Sequence, residues 1–317
     1  MKMVLNSKLK QWLEKNFQER VKFDEPMANH TSLRVGGPAD AFVITENKKE
    51  LAELIHWAGQ NSLNWFVIGG GTNLLVSDSG IRGIAIVLTK ELEEVTEKTK
   101  NDKTYLLKAA AGLKMQSFCR LAIEKGAKGM NFAIGIPGTI GGAIAMNVGT
   151  SLGSMEDVIE TVTFLLPDKA VVELEKDKLD FRYRELSLKN SVFNNIKRLP
   201  VIIEGCFSLT KGNRETIKKE AEQILKARRT NQPTSLPNAG CFFKNPASEE
   251  PAGKLIELAG LKGSQVGGAQ ISEKHANFIV NTGNASAKDF LILMETVKKT
   301  VLQRFNIKLE PEVKIAG

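Results

Sequence analysis

Two glycine runs carry the first chemistry visible in this chain. Gly135 to Gly149, GIPGTIGGAIAMNVG, sets five glycines, a proline and an asparagine among small apolar residues. Gly69-Gly70-Gly71-Thr72-Asn73 follows the apolar run Trp65 to Ile68. Glycine reaches positive φ without penalty and lets a ligand come close to the backbone, so amide N–H groups can face an anion. Two such cradles suit a long ligand with a diphosphate in its middle. Tight turns that merely permit close packing are the competing reading for either run alone. Thr72, Asn73 and Thr139 add hydroxyl and amide groups able to bond phosphate or ring atoms. Neither run is a GxGxxG, and no Lys-Ser/Thr pair completes a P-loop, which disfavours a doubly wound dinucleotide domain.

The elements that must hold these runs alternate between short strands and helices. Ala39 to Thr45 reads as a strand and Asn47 to Gln60 as a helix with Leu51, Leu54, Ile55 and Ala58 on one face. Trp65 to Ile68, Leu74 to Val76, Ile84 to Leu88 and Tyr105 to Ala111 read as strands, and the charged stretch Glu91 to Lys103 as a surface hairpin. Met115 to Lys125 is a helix stopped by Gly126. Strands follow at Val158–Leu166, Ala170–Leu174 and Val201–Leu209. After Lys211 come a long helix, Glu215 to Arg229, with Ile217, Ala221, Ile224 and Leu225 facing inward, and a polar linker, Asn231 to Pro237. The last part holds helices at Ala252–Ala259 and Ser286–Phe305, a strand at Asn277–Asn281 and an extended tail, Ile307 to Ile315.

Composition narrows the partners. The 317 residues include 44 Lys and Arg interleaved with 36 Asp and Glu, a net charge of +8 without a long basic run. Such a field focuses small anions into a cleft and argues against nucleic acid. Three cysteines (Cys119, Cys206, Cys241) at wide spacing make no disulfide framework, and three scattered histidines make no zinc pattern. The N-terminal segment is amphipathic and charged, without a signal-peptide core, and no run reads as a membrane helix, so a cytoplasmic location is expected.

Five motifs in order carry a resemblance over about His30 to Gly317: GGGTNLLV, GIPGTIGGAIAMNVG, NAGCFFKNP, AGKLIELAGLKG and LEPEVKIAG. Together they resemble the UDP-N-acetylenolpyruvoylglucosamine reductases. These are flavoenzymes of peptidoglycan precursor synthesis that share the FAD-binding fold of the vanillyl-alcohol-oxidase type. The resemblance implies an α+β chain. Residues 1–210 would form a two-part FAD-binding region (about 1–83 and 84–210), 211–303 a smaller α+β substrate domain, and 304–317 a tail returning to the active site. FAD would be bound non-covalently, since GGGTN has no histidine to anchor it. Its cradle would be Gly69, Gly70, Gly71, Thr72, Asn73, Leu74, Gly135, Pro137, Gly138, Thr139, Gly141 and Gly142. NADPH would be the reductant and an enolpyruvyl sugar nucleotide the substrate.

Reducing an enolpyruvyl ether needs a hydride on one carbon and a proton on the next, with a cation to hold the charge that spreads into the carboxylate. The resemblance assigns the cation to Arg184 in DFRYRELSLKN, the proton donor to Cys241 in the Gly240–Pro246 turn, and the acid to Glu312, with Glu310 as the alternative. Tyr183, Lys244 and Asn245 would meet the substrate. Arg34 could approach flavin, substrate or a structural partner, and His275 reads as a packing residue. The chain departs from the pattern at Thr150-Ser151, where relatives carry Ala-Tyr, and at Leu186, where they carry serine. Another flavin oxidoreductase of the same fold, acting on a hydroxy acid or sugar, is the alternative function.

Overall fold

The computed structural model describes residues 6–189, 200–247 and 250–317, and the chain falls into two compact units. One comprises Met1–Lys22, Phe42–Gly70 and Gly83–Lys226; the other comprises Phe23–Ala41, Gly71–Arg82 and Ala227–Gly317. This division differs from the expected boundary at residue 210 and from a separate tail at 304–317. Two segments from early in the chain belong with the C-terminal unit, and the boundary falls inside the first glycine run. The reason is non-local pairing. Lys314–Ala316 lies parallel to Leu74–Val76, with Lys314 opposite Leu74 and Ala316 opposite Val76. Asn281 Nδ2 donates to the Leu33 carbonyl at 2.9 Å, and Ser32 Oγ to the Asn238 carbonyl at 2.6 Å.

In the first unit the helices follow their apolar spacing. Lys48–Gln60 starts where the Asn47 side chain accepts the Glu50 N–H, and it buries Leu51, Leu54, Ile55 and Ala58. The charged N-terminal segment is itself a helix, Ser7–Phe17, burying Leu9, Leu13 and Phe17. It is fixed on Lys48–Gln60 by Trp12 stacked on Trp57, with centroids 3.9 Å apart and planes 6° from parallel. Arg20 adds a bidentate pair to Glu50 at 2.6 and 3.0 Å.

Trp65–Ile68, which leads into the first glycine run, pairs in parallel with Ile84–Val87. Among the described residues this unit also holds a six-stranded sheet. Its main path runs Val171–Glu175, Ile159–Leu165, Val201–Lys211, Thr104–Ala110, Val95–Asn101, with Ala127–Lys128 on the Val201–Lys211 strand. The expected hairpin at Glu91–Lys103 is the edge strand Val95–Asn101 turning into Thr104–Ala110. On the helix Arg214–Asn231 the inward face is narrower than its spacing suggests: Ile217 and Ala221 are buried, Ile224 and Leu225 only half-buried.

The second unit packs a four-stranded sheet, ordered Asn238–Cys241, Phe278–Asn281, Ala269–Ile271, Gln265–Val266, against the helices Ala252–Leu258 and Ala287–Phe305. Phe242 stacks on Phe290 at 5.8 Å, and Leu293, Met294, Val297 and Val301 complete the buried face. Ser286 and Asp289 form a capping box, and Asp78 accepts the N–H groups of Ala287 and Lys288 at 2.8 and 2.9 Å. No helix among the described residues is long and apolar enough to cross a membrane.

Gly71 is where backbone geometry is least negotiable. It takes φ 60°, and a Cβ there would come within 2.0 Å of the His30 carbonyl oxygen. Gly71→Ala should therefore destabilise the protein by more than the roughly 1–2 kcal/mol that a left-handed conformation alone costs. Urea denaturation would measure it; a loss below 1 kcal/mol would show that the loop can move away from His30.

Candidate active site

The second glycine run is sewn to the segment before it. Ile140 N–H donates to Leu113 O at 2.9 Å, Gly141 N–H to Ala111 O at 2.8 Å, and Met115 N–H to Gly138 O at 3.0 Å. Gly141 has to be glycine here, because its Cβ would lie 2.8 Å from the Ala111 Cβ. A short helix, Ile140–Ala145, stands within what sequence alone shows as loop, with Thr139 as its cap. It rests on Gly205 of the sheet, where a Cβ would meet Ile144 Cδ1 at 2.6 Å. Gly69 meets the same run: its Cβ would lie 2.5 Å from Thr139 Oγ1. Thus Gly69 and Gly141 do serve close packing. Gly70, Pro137 and Gly142, with Gly69, remain exposed beside Thr139. That leaves an edge of open backbone bounded by one hydroxyl, a cradle that side chains would fill. Its chemistry fits a diphosphate.

Tyr183 and Arg184 form the two-residue tip of the hairpin Leu179–Arg182/Glu185–Leu188, in which Arg182 faces Glu185. Arg184 takes φ 62°, and its guanidinium lies 4.9 Å from the centre of the half-exposed Tyr183 ring. The hairpin is tied to the end of the second glycine run. Buried Asn147 donates to the Arg182 carbonyl and accepts the Glu156 N–H, both at 3.1 Å. The final residue of the DFRYRELSLKN motif, Asn190, lies outside the described residues.

The second unit brings Glu312 alongside the segment that follows Cys241. Phe243 bridges Pro311 in antiparallel fashion. On either side, Glu312 N–H donates to Phe242 O at 2.8 Å and Lys244 N–H to Glu310 O at 2.9 Å. Asn277, 3% exposed, clamps the turn by bonding both the N–H and C=O of Phe243 at 2.9 and 2.8 Å. Glu310 is exposed and pairs at 3.7 Å with Lys244, an interaction worth little in water. Glu312 is half-buried. Asn245 is exposed, and its Oδ1 accepts the Ala252 N–H at 3.1 Å, so one end of that side chain caps a helix. Gly71, Thr72, Asn73 and Leu74 belong to this unit, where Leu74 is 5% exposed and pairs with Lys314. Arg34 is exposed at φ 56°.

Sequence reading missed Arg228. Burial pushes its guanidinium below the ordinary arginine range, while the charge of a Cys241 thiolate would work the other way. The two groups therefore feel each other. The only sequence sign was a basic pair ending a helix, which is common. Cys119 and Cys206 are core residues: burial pushes the first thiol up to about 12 and raises the second. Among the described residues no cluster of His, Cys, Asp or Glu could hold a metal ion.

Comparison with known proteins assigns the family. Residues 39–175 match an FAD binding domain and residues 232–316 the C-terminal domain of UDP-N-acetylenolpyruvoylglucosamine reductase. The UDP-N-acetylenolpyruvoylglucosamine reductase of Desulfosudis oleivorans is 47% identical over 97% of this chain and 98% of its own length. The chain belongs to the UDP-N-acetylenolpyruvoylglucosamine reductase family. The Lachnoclostridium phytofermentans reductase is 39% identical over 94% of each chain. A solved reductase of this kind, from Thermus caldophilus, superposes with a TM-score of 0.78 at 32% identity, covering 94% of this chain and 99% of that one. The α+β reading and FAD as cofactor hold for this reductase-family chain.

Two expected outcomes follow from the geometry. Gly69→Ala drives a methyl into the Thr139 hydroxyl, so the variant should purify with less flavin per protein by visible absorbance; full flavin content would show that the two runs can separate. His275 gives a pH effect. Burial lowers its pKa below the ordinary 6.5, its backbone hydrogen bonding opposes this, Lys262 deepens it and Glu257 offsets it. Below both the folded and unfolded pKa values the folded state bears a buried charge; this cost disappears as pH rises through the lowered pKa towards 6.5. Melting temperature should therefore climb over that window, and His275→Gln should flatten the climb. An unchanged slope in the variant would assign it to other groups.

Proposed function

We propose that this chain reduces the enolpyruvyl group of UDP-N-acetylglucosamine enolpyruvate to the lactyl ether, giving UDP-N-acetylmuramate for peptidoglycan precursors, with NADPH as reductant and in the cytoplasm. The observation that carries the reading is the backbone pairing of Glu310–Glu312 with Phe242–Lys244, next to Cys241, in a chain 47% identical over nearly its whole length to a reductase of that name. Bound FAD would supply the redox chemistry, the relay of an electron pair between NADPH and the substrate double bond. The exposed backbone at Gly69, Gly70, Pro137 and Gly142, with Gly135, Gly138, Thr139 and Gly141 behind it, would hold the cofactor's diphosphate.

The residues then divide the remaining work. Arg184, stiffened by Tyr183 beneath its guanidinium, faces charge that develops on the substrate carboxylate. Cys241 holds a proton at Sγ and gives it to the carbon next to the one reduced; Arg228 supports the thiolate left behind. Glu312 supplies an acid, and its half-buried placement favours it over the exposed, Lys244-paired Glu310. Lys244 and Asn245 offer a cation and an amide to the sugar nucleotide.

Separate measurement of the two half-reactions tests this. Arg184→Ala should slow oxidation by the enolpyruvyl substrate by about 10²-fold, the scale of losing one preorganised donor, with flavin reduction by NADPH nearly unchanged. Cys241→Ser should stay active but slower. Cys241→Ala should bleach with NADPH yet fail to finish product. Wild-type turnover by Cys241→Ala would return that cysteine to the core, and equal damage to both half-reactions would make Arg184 a structural residue.

A further inference from the structure

The backbone of Glu312 is gripped from two sides, and one grip comes from the glycine run. Its N–H donates to the carbonyl of Phe242, the neighbour of Cys241, at 2.8 Å. Its C=O accepts from the Asn73 carboxamide at 3.1 Å. Asn73 closes the circuit with its own carbonyl, which takes the Lys314 N–H at 3.0 Å. The two bonds straddle Val313, which is 3% exposed. From there the tail runs on as a parallel strand, to Ser77 N–H donating to Ala316 O at 2.8 Å.

We propose that Asn73 is a positioning residue for Glu312: its carboxamide, not only its place in the cofactor cradle, sets the acid against the Cys241 strand. The inference rests on the reading of Glu312 as the acid. A Thr or Ser at residue 73 would be too short to span the same gap, and an aspartate would keep the shape while losing the donor. Without that donor the Glu312 carbonyl loses a partner in a half-buried setting, and the tail loses one of the bonds that hold it.

The test is Asn73→Asp in the FAD-loaded protein, alone and combined with Glu312→Gln. Hydrogen exchange of the 307–317 peptide should quicken by about tenfold, the scale of one lost hydrogen bond. Taken per bound flavin, oxidation by the enolpyruvyl substrate should slow by about tenfold. In the Glu312→Gln background the same change should cost nothing further, since both act through one group. Losses that simply multiply would overturn the proposal, as would unchanged tail exchange. A wild-type rate for Glu312→Gln alone would mark failure of the acid reading itself, and would remove the role of Asn73 with it. Should Asn73→Asp not fold, Asn73→Ala serves for the same measurements.

Discussion

The pairing of Lys314–Ala316 with Leu74–Val76 is the constraint on which the second unit depends. It joins residues 240 positions apart, Leu74 and Lys314, so its loop-closure cost is met only once the rest of the unit is in place. Three parallel residue pairs are a small contribution by themselves. They matter because the strand that receives the tail begins immediately after Gly71-Thr72-Asn73, and because the tail carries Glu312 past Phe242. One backbone ladder thereby fixes a glycine loop, an acid and a cysteine-bearing turn in a common frame.

The glycine runs answer two demands that sequence reading set against each other. Gly69, Gly141 and Gly205 are packing glycines: each missing Cβ admits an atom at 2.5 to 2.8 Å that no side chain could share. Gly70 and Gly142 face outward. Close packing behind the loop holds the exposed glycines in front of it still, and a still loop binds an anion without the entropy cost of ordering a mobile one. The two readings were therefore halves of one design.

What could be read beforehand had a local period. Leu51, Leu54, Ile55 and Ala58, or Phe290, Leu293, Met294, Val297 and Val301, announce their helices by spacing and are buried as that spacing demands. The motifs around Cys241 and Glu312 were equally plain, and they led to the right family. What escaped was long-range. Nothing local says that Leu74–Val76 pairs with the tail, so the membership of segments 23–41 and 71–82 in the C-terminal unit is not legible in the sequence. Arg228 escaped for a related reason: a helix-ending arginine acquires its meaning from a cysteine thirteen positions on, brought back by a turn. Asn147 and Asn277 look like ordinary loop asparagines until their amides are seen bridging two backbone segments.

The stacked tryptophans of the N-terminal helix carry a practical meaning. The chain has three tryptophans and two tyrosines, and Trp12, Trp57, Trp65, Tyr105 and Tyr183 all fall within the first unit. Tryptophan and tyrosine emission is therefore a reporter for that unit alone, and the other unit is dark to it. An unfolding curve followed by fluorescence would describe the first unit only, whereas calorimetry or far-ultraviolet dichroism would describe both. Disagreement between those probes is the signature by which independent melting of the two units would declare itself.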